Sequence, residues 1–254
     1  MTVRIGIAGL PGRMGREVSA LALRDPAVTV TGGWSRSNQD AVLGVPVTSD
    51  LPALLARCDV LIDFTKAEAT PTVAGACASA GVPLVTGVTG HNGDEDAALR
   101  AAARAVAVFQ AANMSPGVNA MLAVLPALVR ALQGYDLELV EAHHRHKADA
   151  PSGTALALAR VMADASGAPL AERAIYGREG ASLRTPAEIG IHAVRAGGNP
   201  GEHSVILASD GEEIRLSHRA FNRSSYAEGA LKAARLIVGQ PAGWYEPATL
   251  PGFL

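Results

Sequence analysis

The chain has 254 residues, 48% of them apolar and 18% charged, which is enough to bury a sizeable core and far from the composition of a disordered segment. A formal net charge of −2 gives no basic footprint for nucleic acid or an anionic membrane, so any cationic site must be local. Aromatics make up only 4%, which suits α/β layers better than an aromatic-rich sandwich.

From the N-terminus, VRIGIAGL (3–10) reads as a strand ending in a glycine turn, and GREVSALALRD (15–25) has helical spacing. The opening MTVRIGIAGL enters that strand at once and has no secretory leader pattern, so the expectation is a soluble, cytoplasmic protein. VTVTGGW (28–34) is a second strand, DLPALLARC (50–58) a short helix and DVLIDFT (59–65) a third strand. KAEATPTVAGACASAG (66–81) is helical, with Gly81 as its C-cap and Pro83 just beyond. PLVTGVTG (83–90) is a strand, DEDAALRAAARAVA (94–107) a helix and VFQAAN (108–113) a strand. Strands separated by helices in this rhythm form right-handed βαβ units around a parallel sheet. Residues 1–114 therefore read as a Rossmann-like, doubly wound dinucleotide-binding domain. Cys58 and Cys77 sit in apolar helical contexts and read as small buried residues.

The rhythm then changes. PGVNAMLAVLPALVRALQG (116–134) is helical, YDLELVEAHHRH (135–146) an alternating strand and SGTALALARVMADASG (152–167) a helix. Residues 172–188 are polar, broken by Gly and Pro, and read as a long loop. IGIHAVRAG, EHSVILASD and EEIRLSHRA are strands, the last two joined by the hairpin signal Asp210-Gly211. Residues 115–221 thus read as an α+β domain with an open mixed sheet, for substrate binding and oligomerisation. A long amphipathic helix, SSYAEGALKAARLIVGQ, lies in the remaining stretch 222–254, which is expected to pack back on the first domain.

Two stretches carry chemistry. Gly9-Leu10-Pro11-Gly12-Arg13-Met14-Gly15 follows a strand and opens a helix, the setting in which backbone N–H groups and the helix dipole bind a pyrophosphate. After the second strand the chain reads Trp34-Ser35-Arg36-Ser37, without the carboxylate that an NAD site uses for the ribose 2′-hydroxyl. Arg36 can pair a 2′-phosphate, with Ser35 and Ser37 as donors, so NADPH is favoured and NADH is the alternative. The second stretch, EAHHRHKADAPSGTA (141–155), packs three of seven histidines, an arginine and a lysine into positions 143–147. Strand alternation puts His143 and Arg145 on one face with Glu141, and His144 and His146 on the other, which argues against a metal site. The Ser152-Gly153-Thr154 helix start, beside Lys147 and a histidine, reads instead as a site for a carboxylate and a proton.

Together AGLPGRMGRE, DFT at 63–65, GVTG at 87–90, AANMSPGVN at 111–119 and the 141–155 block closely resemble the bacterial dihydrodipicolinate reductases, also called 4-hydroxy-tetrahydrodipicolinate reductases. IGIHAVRAGGNPGEHSV and HRAFNRSSYAEGALKAARLIVG resemble the same family, so the likeness runs the length of the chain. The resemblance implies NAD(P)H-dependent reduction of a cyclic dicarboxylate on the diaminopimelate route to lysine, in a homotetramer with no nucleic-acid or membrane partner. It implies His143 as proton donor/acceptor, Lys147 as general acid, and His144, Lys147, Gly153 and Thr154 as holders of the two substrate carboxylates. For the cofactor it implies Gly9, Leu10, Pro11, Gly12, Arg13 and Met14 around the pyrophosphate. Gly87, Val88 and Thr89, then Ala111, Ala112, Asn113 and Met114, would line the ribose and nicotinamide. The chain departs from the family at Ser35, where many members carry an acidic residue, at Met114, where phenylalanine is common, and in GGNPGEH. Two other readings stay open: a related two-domain amino-acid dehydrogenase, and a catalytically idle NADPH-binding sensor.

Overall fold

A computed structural model describes residues 2–37 and 40–254 and divides the chain into two compact units. The first comprises Met1–Pro116 with Arg223–Leu254, the second Gly117–Asn222.

In the first unit the strands are β1 (Val3–Ala8), β2 (Val28–Trp34), β3 (Val47–Thr48), β4 (Val60–Asp63), β5 (Leu84–Thr86), β6 (Ala107–Gln110) and, from the chain's end, β12 (Gly243–Tyr245). They form one parallel sheet in the order β12-β6-β5-β4-β1-β2-β3. Burial on both faces is what keeps these strands nearly continuous in apolar residues. Alternate side chains feed two separate cores. Ile5, Ile7, Val60, Ile62, Val85 and Phe109 pack under α1 (Arg13–Ala22) and α7 (Ser224–Ile237). Ala8, Leu61, Leu84 and Val108 pack under α2 (Leu51–Leu55), α3 (Thr70–Ala80) and α4 (Gly93–Ala102). Gly81 caps α3 with a left-handed φ of 68°, a conformation that costs glycine little. The closing segment is tied down by Phe253 against Phe109, with ring centroids 5.0 Å apart, and by Lys232 Nζ donating to the Phe253 carbonyl at 2.6 Å.

Three short strands were not evident in the sequence. β3 and β12 are two and three residues long, too short to show a period. The stretch 172–188, expected to be loop, contains β8 (Ala174–Tyr176) as an edge strand.

The second unit is built on a mixed sheet ordered β11-β10-β7-β9-β8, with β7 (Asp136–His143), β9 (Ile189–Arg195), β10 (Glu202–Ala208) and β11 (Glu213–Arg219). β9 runs parallel to β7 and β8, while β10 runs antiparallel to β7 and β11. One face is covered by α5 (Pro116–Ala131) and α6 (Gly153–Ala165). Met121, Leu125, Leu158 and Met162 there meet Leu137, Leu139, Ile191 and Val205. On β7 the buried positions alternate as Leu137, Leu139, Glu141 and His143. The inward-facing row therefore changes from apolar to ionisable at the strand's C-terminal end, which is where the site begins.

Candidate functional site

At that end of β7, Glu141 is fully buried and each of its oxygens accepts two hydrogen bonds. Oε1 accepts from Arg195 Nη2 at 2.7 Å and from the Ser152 N–H at 3.0 Å. Oε2 accepts from Arg195 Nη1 at 2.8 Å and from His143 Nδ1 at 2.5 Å. Sheet register brings these groups together: His143 lies opposite Arg195 on β9, and Glu141 opposite His203 on β10. Burial pushes the Glu141 carboxyl up, but the hydrogen bonds from Arg195, His143 and Ser152 outweigh it and hold it below its ordinary value. An ionised carboxylate only accepts, so the proton on the His143–Glu141 bond belongs to His143 Nδ1. Burial and the nearby Lys147 and Arg195 charges lower the His143 pKa despite Glu141, leaving a neutral ring at pH 7. His203 stands edge-on to His143, with ring centroids 5.2 Å apart, and burial brings its pKa down to about 4.

The strand stops at His143, so alternation does not extend through the basic block as the sequence suggested. The His144 N–H instead donates to the Asn199 carbonyl at 2.8 Å and the Lys147 N–H to the His144 carbonyl at 3.1 Å, folding 144–147 into a turn. Arg145 and His146 point to solvent, while His144 and Lys147 are partly buried. Lys147 Nζ pairs with Asp149 at 2.8 Å, and Arg195 Nη2 also donates to the Asp149 backbone carbonyl at 2.6 Å. The crowding of like charge is thus relieved by two carboxylates, Glu141 from below and Asp149 from the side.

Ser152 caps α6, its Oγ accepting from the Ala155 N–H at 3.1 Å and lying 3.0 Å from His203 Nε2. Gly153 is exposed and Thr154 half-buried at the first positions of this 13-residue helix, which has no acidic residue in its first turn. An anion is favoured at such an end by the helix dipole and the leading N–H groups. The structure therefore brings His143, His144, Lys147, Gly153 and Thr154 onto one turn-and-helix-start, with Glu141, Arg195, His203 and Asp149 supporting them. Sequence reasoning gave these four no role. Glu141 was visible on the His143 face of the strand, but Arg195 and His203 are 50 or more positions away and only strand pairing reveals them. Among the described residues, no group of three or more His, Cys, Asp or Glu is placed to hold a metal ion.

In the first unit a cleft of about 1200 Å³ opens at the C-terminal ends of the strands. Gly9, Pro11, Gly12, Arg13, Met14, Arg36, Gly87, Val88 and Thr89 all line it. Leu10 does not: its side chain is fully buried in the core, so only its backbone is available to a ligand. Ala111, Ala112, Asn113 and Met114 follow β6 and lie outside that lining, with Ala111 and Met114 buried. Phe64, Thr65, Lys66 and Glu68 also line the cleft; Phe64 and Thr65 belong to the DFT stretch that carries the resemblance, but the sequence assigned none of the four a role. Their signal was position, directly after a strand of a doubly wound sheet.

The cleft suits a dinucleotide. Gly9 turns at φ 78°, and a Cβ there would sit 2.7 Å from the Phe64 carbonyl oxygen, so only glycine lets the loop lie this close to β4. The N-cap of α1 is Gly12, which offers no side chain, and the first turn has no acidic residue, leaving the helix N-terminus to an anion. Arg13, Arg36 and Lys66 supply positive charge around the cleft.

The model of the dihydrodipicolinate reductase N-terminal domain matches residues 3–114, and that of the C-terminal domain matches 117–250. A 4-hydroxy-tetrahydrodipicolinate reductase of Halorhodospira halophila is 44% identical over 99% of this chain and 100% of its own length. A protein of the same name from Burkholderia mallei is 43% identical over 96% of both. Among solved structures, a dipicolinate-bound dihydrodipicolinate reductase from Paenisporosarcina sp. TG-14 superposes with a TM-score of 0.81 at 23% identity, covering 97% of this chain and 98% of that one. An amine dehydrogenase from Mycobacterium smegmatis shares the fold at a TM-score of 0.67 and 14% identity, covering 100% of this chain and 97% of that one. With both domain models matched in order along nearly its whole length, the chain belongs to the dihydrodipicolinate reductase family.

Proposed function

We propose that the protein reduces 4-hydroxy-tetrahydrodipicolinate to tetrahydrodipicolinate with NADPH in preference to NADH, on the diaminopimelate route to lysine. The observation that carries the reading is the turn-and-helix-start at 143–154, where a buried histidine hydrogen-bonded to a carboxylate, a lysine and a helix N-terminus converge. It occurs in a chain whose relatives bear that name across its whole length.

In this reaction a hydride and a proton enter the ring and water leaves. The reduced nicotinamide supplies the hydride when bound. The protein's own groups do the rest. The N-terminus of α6, with Gly153 and Thr154, holds a substrate carboxylate, and His144 and Lys147 hold the other. The ring carbon left electron-rich by hydride addition takes a proton from this site, with Lys147 as general acid and His143 as proton donor/acceptor. Asp149 keeps the Lys147 ammonium oriented. Gly9 to Met14 and the N-terminus of α1 would hold the pyrophosphate. Gly87 to Thr89 and Ala111 to Met114 would hold the ribose and nicotinamide end. Arg36 is the 2′-phosphate contact that sets the NADPH preference.

We extend the reading to a cytoplasmic homotetramer formed through the sheet face of the second unit turned away from α5 and α6. Among the described residues no helix is long and apolar enough to cross a membrane. Turnover of substrate generated in place by its synthase, followed by loss of nicotinamide absorbance, tests the reaction. Sedimentation velocity tests the assembly, and a monomer would contradict it.

A further inference from the structure

We propose that Glu141, clamped by Arg195, is the positioning carboxylate of His143, fixing one proton on Nδ1 so that Nε2 is the nitrogen that takes up a second proton from solvent and passes it to substrate. This inference rests on the proposed reductase reading for its consequence but not for its geometry.

Glu141 is saturated as an acceptor. A buried carboxylate has about four acceptor directions. Here all four are taken: two by Arg195 in a bidentate fork, one by the Ser152 N–H and one by His143. The fork holds Glu141 ionised, and an ionised Glu141 can only accept from His143. The tautomer of His143 is thereby set through the carboxylate it shares with Arg195. The same Arg195 donates to the Asp149 carbonyl, and Asp149 holds Lys147. One guanidinium therefore holds both proton-handling side chains in register. A purely structural pair would need no histidine in the fourth direction. Carboxylate–histidine pairs orient imidazoles in this way where the ring acts as a general base or acid.

The groups that face His143 are Glu141 on its own strand, Arg195 on β9, His203 on β10, and Lys147 on the turn that follows β7. Of these only Glu141 offers Nδ1 an acceptor.

The test has two readouts. The first is ring ¹⁵N chemical shifts of ¹⁵N-histidine-labelled protein at pH 7.5, with the His143 signals assigned by their loss in His143→Asn. Wild type is expected to show a protonated Nδ1 and an unprotonated Nε2, and the reverse tautomer overturns the proposal without any variant. The second is kinetic. Glu141→Gln is expected to lower kcat by roughly 10²–10⁴-fold, with KM and NADPH affinity within about threefold of wild type. It should also move the acid limb of the kcat/KM profile. Glu141→Asp, which keeps the charge, is expected to restore part of kcat. A Glu141→Gln protein with kcat within threefold of wild type overturns the proposal. So does one in which substrate affinity, NADPH affinity and thermal stability fall together while the pH profile stays put, because that pattern is structural. If wild type oxidises no NADPH with substrate present, the reductase reading fails, while the tautomer measurement still decides the role of Glu141.

Discussion

Replacing Gly15 by alanine puts the cofactor loop to its sharpest test. A methyl on Gly15 would lie 2.3 Å from the Gly9 carbonyl oxygen, 2.6 Å from Leu10 Cα and 2.8 Å from the Leu10 carbonyl oxygen. All three are backbone atoms, so no side chain can swing aside. Restoring an ordinary contact of 3.4 Å requires α1 to back away from the loop by about 1 Å. Overpacking of this kind costs about 1–3 kcal/mol, and alanine's better helix propensity offsets about 1 kcal/mol of it. The net loss, up to about 2 kcal/mol, lowers the melting temperature by up to about 8 °C for a unit of this size. The N-terminus of α1 and the Gly9–Gly12 turn would no longer address a pyrophosphate together. NADPH affinity should fall at least about tenfold, equivalent to about 1.4 kcal/mol. Trp34 lines the cleft, so quenching of tryptophan emission reads NADPH binding, and a thermal melt of the same sample reads stability. Gly75→Ala is the control: this exposed mid-helix position has nothing within 4 Å of the new methyl. It should gain about 0.5–1 kcal/mol and leave NADPH binding alone. A Gly15→Ala protein that binds NADPH normally and melts no lower than wild type would refute the claim that close approach of α1 to the loop builds this site.

Arg36→Ala is expected to weaken NADPH binding by roughly 10–100-fold, the loss of a charge-assisted phosphate contact of about 1.5–3 kcal/mol, while NADH binding stays within a factor of two; equal losses for both would remove Arg36 from the 2′-phosphate. Lys147→Gln should lose most turnover while its NADPH dissociation constant, by the same fluorescence titration, stays unchanged. Survival of turnover would displace Lys147 from the general-acid role. For pH, the buried His203 has a folded pKa of about 4 against an ordinary value near 6.5. The unfolded chain thus binds the extra proton between those values, and stability present above about pH 6.5 is lost as pH falls toward 4. His203→Gln, which can still face Ser152, should flatten that fall in urea midpoint, and an unchanged slope would show that His203 is not its source.

Much of this was legible in the sequence for physical reasons that can be named. Ile5, Ile7, Ile62 and Phe109 sit in runs apolar on both faces, which only a covered parallel sheet requires, so the doubly wound half declared itself. Alternation along β7 placed Glu141 beside His143, and Ser152 before an apolar helical run marked the start of α6. What stayed hidden depends on pairing between distant strands. Arg195 reads as one more surface cation until β9 is laid parallel to β7. His203 likewise comes into the site only through the antiparallel pairing of β10 with β7. Lys66 and Glu68 stand in no motif, and Phe64 and Thr65, though part of the DFT stretch, acquire a role only as the end of a central strand. Leu10 shows the converse, since it stands inside the glycine motif yet turns its side chain into the core against Gly33.

The measurement that bears most directly on the central claim is the rate of nicotinamide oxidation by purified protein. Pyruvate, aspartate semialdehyde and the upstream synthase would generate the substrate in place, with NADPH and NADH run side by side. The account predicts rapid oxidation that depends on the synthase and is faster with NADPH. No oxidation with either cofactor, from protein that binds NADPH in the fluorescence titration, would contradict it.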